Sequence, residues 1–453
     1  MARNYMAVAC AVFFAAAMAC GEECGGRLLL QDGPGICTVT RELYQPHPEA
    51  GAAYSVQVFY TGPGLERAEV HSIERVSDEP EQPRVRWSAD NGRTWSEFEP
   101  LPDMVLRQGE YKIYWGPGPR LYDADAGVVV SIWLRQPYKD RTYINHCFSR
   151  FSRNYGRTWS EPKLLRYEDG PQFDPANALD PEFLKYNRGY FGTNIIRHSS
   201  GVLIHCLTSV NVPYENANGK SYHPWVKADA KDIGSLCMMG KWNAAVNDYE
   251  WTAGKPVWVP LSVSSRGLME PFVTELRDGR VLVVWRGSDT PETPGQKWFS
   301  ISTDAGTTLS PVAEWKYAES RSNESKKGTP PTKAGGRPNR FYSPSSIHQF
   351  IRHSVSGKLY WLGNISPEPP RANHPRHPLV IGEVDEDRAA IKRETVTIID
   401  DRQPGDGPEV QLSNFSLLED RETHEFELYL TKFGADPSNV FTADCYRYEV
   451  KIK

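Results

Sequence analysis

The chain has 453 residues, 24% of them charged, with a formal net charge of −5 at pH 7. That balance excludes a global basic field for nucleic acid or an anionic membrane, so any anion binding has to be local. The length exceeds an ordinary domain but stays within the range of a large all-β fold. Aromatic residues make up 11%, including 13 Trp and 22 Tyr, alongside 36 Gly and 35 Pro. This mixture suits many short strands joined by tight turns, with aromatic surface left over for stacking on sugar rings.

Residues 1–19 carry the marks of an export signal. Arg3 supplies a positive charge, an apolar run extends from Met6 to Met18, and Ala17-Met18-Ala19 offers a small-residue cleavage site. Cys20 follows directly and opens a lipid-anchor reading, although Ala17 stands where a branched apolar residue is usual. The apolar run falls short of the ~20 residues that a membrane span requires. No transmembrane segment is therefore expected, and the predicted address is secreted or periplasmic. The eight cysteines lie at 10, 20, 24, 37, 147, 206, 237 and 445. They form no C-x-x-C pair and read as buried thiols with room for one or two disulfides of unreadable connectivity.

Past the signal, helical periodicity is hard to find. Short apolar or alternating runs occur at Tyr54 to Tyr60, Gly127 to Leu134, Gly201 to Leu207, Arg280 to Trp285, Lys358 to Leu362 and Phe426 to Leu430. Each is bounded by Gly, Pro, Asn or Asp, the punctuation of an all-β chain. The span 319–340 is polar, basic and rich in Gly and Pro, and reads as a long surface loop.

An internal repeat points to the architecture. Ser88-Ala-Asp90-Asn-Gly92-Arg-Thr94-Trp95 recurs as Ser152-Arg-Asn154-Tyr-Gly156-Arg-Thr158-Trp159 and as Ser302-Thr-Asp304-Ala-Gly306-Thr-Thr308-Leu309. Ser and Asp side chains can accept bonds from turn amides, Gly supplies positive φ, and the final apolar residue returns between sheets. The pattern S-x-D-x-G-x-T-W resembles the Asp box, or BNR repeat, of the sialidase-like (neuraminidase) β-propeller families. The resemblance implies an all-β, six-bladed β-propeller of the sialidase type as one domain over 40–453. A coarse division puts blades near 50–105, 115–165, 186–225, 225–262, 268–315 and 340–400, with strands from 410 to 450 closing the ring.

The function of a propeller sits at its central mouth. The sialidase resemblance implies three arginines around a carboxylate, a Glu before the second of them, an early acidic residue and a late tyrosine. Glu270 leads an apolar strand, an L-x-D-G-R turn follows, and the next strand ends at Arg286. A hairpin of that length returns both residues to the same mouth. Arg120 opens a run resembling the first sialidase blade, without its R-I-P signature, and Asp140 takes the acid/base position before the second repeat; Asp78 is the alternative acid. Arg376 fits the third arginine, with Arg371 as alternative. Guanidinium groups suit this role because they hold a carboxylate bidentately.

The tyrosine is where the pattern breaks. Sialidases use a Tyr nucleophile, an exception among glycosidases, and Phe415 takes its place in Gln411-Leu-Ser-Asn-Phe415-Ser. Tyr342 is the substitute candidate, and Tyr190 and Asn194 are candidates for lining the mouth. The expected function is an exported exo-sialidase-like glycoside hydrolase acting on a terminal sialic or uronic acid, with no cofactor and no metal. The eleven His form no H-E-x-x-H or Cys/His set, and His374 and His377 read as polar pocket or loop residues. Loss of the tyrosine leaves two alternatives open, a glycan-binding propeller without catalysis and a uronate-directed lyase. The expected partner is a carboxylated glycan, with no role for nucleic acid.

Overall fold

The computed structural model describes residues 27–31, 35–77, 79–139, 142–210, 214–215, 233–319 and 339–453. Its strands fall into six antiparallel sheets, arranged as the blades of a β-propeller. Blade 1 runs from Ala53–Tyr60 through Arg67–Glu74 and Glu81–Ser88 to Glu99–Pro100, each strand pairing with the next. Blade 2 is built on Tyr111–Asp123, Val128–Lys139 and His146–Ser152, and blade 4 on Met269–Glu275, Val281–Arg286 and Lys297–Ser302. Blade 5 uses Gln349–Arg352, Leu359–Asn364 and Leu379–Asp385. Neighbouring strands in these sheets are antiparallel, so the start of the first strand, the end of the second and the start of the third share one end, taken as the mouth.

The division of 186–262 into two blades does not hold. Leu203–Val210 pairs along its whole length with Ile233–Asn243, from Leu203 opposite Gly240 to Val210 opposite Ile233. With Gly189–Phe191 inside and Asp248–Ala253 outside, this is one sheet, blade 3. The count of six is completed by blade 6, made of Ser416–Glu419, Phe426–Thr431, Cys445–Ile452 and the early strand Cys37–Gln45. The closing strand thus starts before residue 40. Closure comes from pairing both ends of the propeller in one sheet, Cys37 opposite Ile452 and Val39 opposite Val450.

The three repeats form near-identical turns on the face opposite the mouth. In the first, Ser88 Oγ donates to Asp90 Oδ1 at 2.8 Å and accepts from Gly92 N at 2.8 Å. Asp90 accepts from Thr94 N at 2.8 Å and Thr94 Oγ1 at 2.7 Å. These two donors hold its carboxyl down at about 2. Gly92, Gly156 and Gly306 all adopt positive φ, at 84°, 93° and 95°, the conformation that costs a side chain most.

Apolar side chains fill the spaces between blades. Trp285, Trp315 and Trp361 are fully buried, and all six residues of Val281–Arg286 are shielded from solvent. The seam between blades 6 and 1 also carries buried charge, with Arg67 bonded to Glu427 and Asp420, each at 2.8 Å. Among the described residues, no helix is long and apolar enough to cross a membrane.

Candidate functional site

The mouth of blades 4 and 5 gathers the buried basic residues Arg286, Lys297 and Arg376. Arg286 ends the second strand of blade 4 and Lys297 begins the third, directly opposite it. Arg286 forms an ion pair with Glu270 through Nη1 and donates from Nε to Ser345 Oγ at 2.9 Å. Arg376, just before the third strand of blade 5, reaches the same residue, with Nη2 3.4 Å from the Ser345 carbonyl. Its Nη1 donates to Gln411 Oε1 at 2.7 Å. Ser345 therefore ties two guanidinium groups from adjacent blades to one point. The structure brings Glu270, Arg286 and Arg376 together as one cluster.

Glu270 is held in an unfavourable backbone conformation. The register between Met269 and Phe272 slips at a bulge, and Glu270 sits at φ 43°. Its N–H donates to Thr208 Oγ1 at 3.1 Å, and that hydroxyl donates to the Leu268 carbonyl at 2.9 Å. Bulges re-aim side chains, and positive φ in a non-glycine residue is backbone strain of the kind that collects at functional sites.

Two further basic residues belong to the cluster and were not among the residues expected from the sequence. Lys297 is completely buried, with Nζ bonded to the Ser346 carbonyl and 3.4 Å from that of Pro344. Its pKa lies well below the usual lysine value, first through loss of solvation and then through the charge of Arg286, which with Arg376 opposes the pull of Glu270. A cation at this point is destabilised, which is the field an anion seeks. Arg266 approaches from the loop before blade 4, with Nη1 3.4 Å from Asn373 Oδ1; Arg286 Nη2 lies 3.5 Å from the same oxygen. Lys297 was within reach of hairpin arithmetic, since it faces Arg286. Arg266 lies in an aperiodic loop and offered no such clue.

Other candidates fall elsewhere. Arg120 pairs with Ser131, near the hairpin that joins Asp123 to Val128, and its guanidinium stacks on Phe59 at 3.9 Å. Phe59 is the second-last residue of its strand, so both lie toward the face of the repeat turns. Arg120 does not join Arg286. Desolvation lowers its pKa to about 10. The basic group at the mouth end of blade 2 is instead Arg135, buried opposite His146 and likewise lowered to about 10 by desolvation.

Asn194 does not line the mouth. Its amide is tied at both ends to the backbone of Val273, accepting from the N–H at 2.9 Å and donating to the carbonyl at 2.7 Å. It clamps blade 3 to blade 4. Tyr190 pairs with Thr208, the residue that supports Glu270, while its ring leans on Phe191 at 4.9 Å. Arg371 is exposed on the loop that carries Asn373. Tyr342 bridges to Ser366 through its backbone, and no hydrogen bond among the described residues joins its hydroxyl to Glu270, Arg286 or Arg376. Phe415 is 4% exposed and packs in the core between blades 5 and 6. His374 is lowered by desolvation and by Arg376, and His377 bonds Asp401 at 2.8 Å. Asp140 and Asp78 lie outside the described residues.

A cavity of about 1080 Å³ opens on the opposite face, lined by Arg277, Lys358, Glu383, Glu386, Lys392 and Arg393 among others. Its charges are largely satisfied internally, as in the pairs Lys392–Glu383 and Arg352–Glu386. The buried cluster at the mouth, where strand ends from two blades converge, is the better site on geometry.

No protein-family model matches the chain, and no curated protein sequence matches it. Solved structures do. A protein of unknown function from Dyadobacter fermentans aligns at 12% identity with a TM-score of 0.54, covering 93% of this chain and all of that one. The NanB sialidase of Streptococcus pneumoniae aligns at 12% identity and TM-score 0.52 over 90% of this chain and 70% of that chain. The intramolecular trans-sialidase of Ruminococcus gnavus aligns at 11% identity and TM-score 0.50 over 88% and 94%. The chain has the six-bladed β-propeller fold of the sialidases.

Proposed function

We propose that this chain is an exported, sialidase-like glycoside hydrolase that takes a terminal carboxylated sugar, sialic or uronic acid, at the mouth of blades 4 and 5. The observation that carries the reading is the meeting of Arg286 and Arg376 on Ser345, each a planar donor suited to bidentate carboxylate binding. Arg266, sharing Asn373 with Arg286, replaces Arg120 as the third basic group. Glu270, aimed by its bulge at Arg286, serves as base or charge stabiliser. Asp140 remains the acid/base candidate on sequence grounds, and the three repeat turns remain Asp boxes by their resemblance. The export signal with Cys20 supplies the address, secreted or periplasmic with an optional lipid anchor.

The test is release of a fluorogenic aglycone from sialosides and from glucuronides. Turnover on one of them, abolished in Arg286→Ala, is the expected result; no release from either at high enzyme loading sinks the hydrolase. Phe415 favours a second reading, because a core phenyl ring offers no nucleophile. In that case the same pocket binds without turnover, or eliminates at a uronate. A glycan signal that needs Arg286 without any product identifies binding, and the ultraviolet absorbance of an unsaturated uronate identifies elimination.

A further inference from the structure

The described residues include five cysteines, all buried. Cys37 faces Ile452, Cys147 faces Leu134 and Cys445 faces Thr431 across their sheets. Cys206 and Cys237 alone face each other, in the middle of blade 3. Burial first, and then the neighbouring Cys237 thiol, raise the Cys206 pKa well above that of a free thiol.

The backbone around the pair has the geometry that a crosslink needs. Along an antiparallel strand, a residue's N–H and C=O project to the same side. The Cys237 carbonyl accepts from Gly254 N at 2.7 Å, on the outer side of the sheet. The Cys206 carbonyl faces inward, where a Cβ added at Gly192 would come within 2.2 Å of it. Both carbonyls point away from the partner, so the two residues form a non-hydrogen-bonded pair. Such pairs bring Cα atoms to about 4.5 Å and their side chains closest, at the near end of the range that disulfides span.

We propose that Cys206 and Cys237 form a cross-strand disulfide when this protein folds in an oxidising compartment. The two thiols lose two protons and two electrons, an S–S bond forms between the Sγ atoms, and an oxidised disulfide acceptor such as glutathione disulfide is reduced to two thiols. Because both side chains are almost inaccessible in the folded blade, the bond forms during folding. It lies two residues from Thr208, so it braces the strand that supports Glu270. Nothing in this proposal depends on which sugar occupies the mouth.

The full chain is refolded with glutathione disulfide, alkylated under denaturing conditions, digested without reductant and mapped by mass spectrometry. The expected result is one peptide pair joining Cys206 to Cys237 with the loss of two hydrogens, while Cys37, Cys147 and Cys445 are alkylated. Reductant added before heating should lower the Tm of this form and leave that of Cys237→Ala unchanged. Alkylation of both Cys206 and Cys237 after oxidative refolding, or a bond from either to another cysteine, overturns the proposal.

Discussion

At the scale of single residues, Glu270 carries the most information. A carboxylate at φ 43°, on a bulge and against Arg286, is an arrangement that strand packing alone does not require. Glu270→Gln removes the negative charge that competes with a ligand carboxylate while keeping the side chain's shape. Carboxylate affinity, read by calorimetric titration, is expected to hold or rise while turnover falls by ~10² or more. Parallel loss of affinity and turnover would mean that Glu270 binds the ligand instead of acting on it. That Glu270 and Arg286 return to one end was legible in the sequence, because residues can be counted along a hairpin; Arg376 was reached only through the sialidase resemblance. The place of Arg120 was not legible, since it depends on how far down a thirteen-residue strand it falls. Asn194 was misread because the claim of Val273 on its amide comes from a neighbouring blade.

At the scale of the element, the repeat turn is a self-contained hydrogen-bonded unit. Its second copy tests the role of charge, because Asn154 keeps the acceptor to Thr158 N at 2.9 Å but turns its Nδ2 toward the Thr158 hydroxyl at 3.0 Å. In the first copy the Thr94 hydroxyl donates to the carboxylate. Asn154→Asp should restore that charge-assisted bond and raise the Tm at neutral pH. The new carboxyl titrates lower folded than unfolded, where its pKa is ~3.9. The gain is therefore present above that value and disappears as the pH falls through the folded pKa. A Tm equal to or below wild type at neutral pH would show that the amide already satisfies the turn. These turns were readable from sequence because every bond in them spans four residues or fewer. The blade boundaries in 186–262 were not, because Leu203–Val210 and Ile233–Asn243 carry no turn signature to announce that they pair.

At the scale of the molecule, stability depends on buried groups that stay uncharged. Desolvation lowers His205 to about 4, and desolvation with the charge of Arg135 lowers His146 to about 3. In the unfolded chain both bind protons near the ordinary ~6.5. The unfolded state thus holds more protons at mildly acidic pH, and the stability these residues contribute is full above ~6.5 and declines as the pH falls toward their folded values. Denaturant titrations at steps from neutral to acidic pH should show the midpoint dropping before the carboxylates titrate. A midpoint flat from pH ~7 to ~5 would refute this assignment.

The sequence by itself determined the all-β class, the repeated turns and the hairpin that carries Glu270 and Arg286, because each rests on contacts between near neighbours in the chain. Tertiary structure decided that the first and last described strands share blade 6, that Ser345 joins Arg286 to Arg376, that Arg266 belongs to the site, and that Cys206 faces Cys237. Those pairings bring together segments separated by long stretches of chain. They follow from closing six twisted sheets into a ring and burying their faces, a condition that no local pattern of residues records.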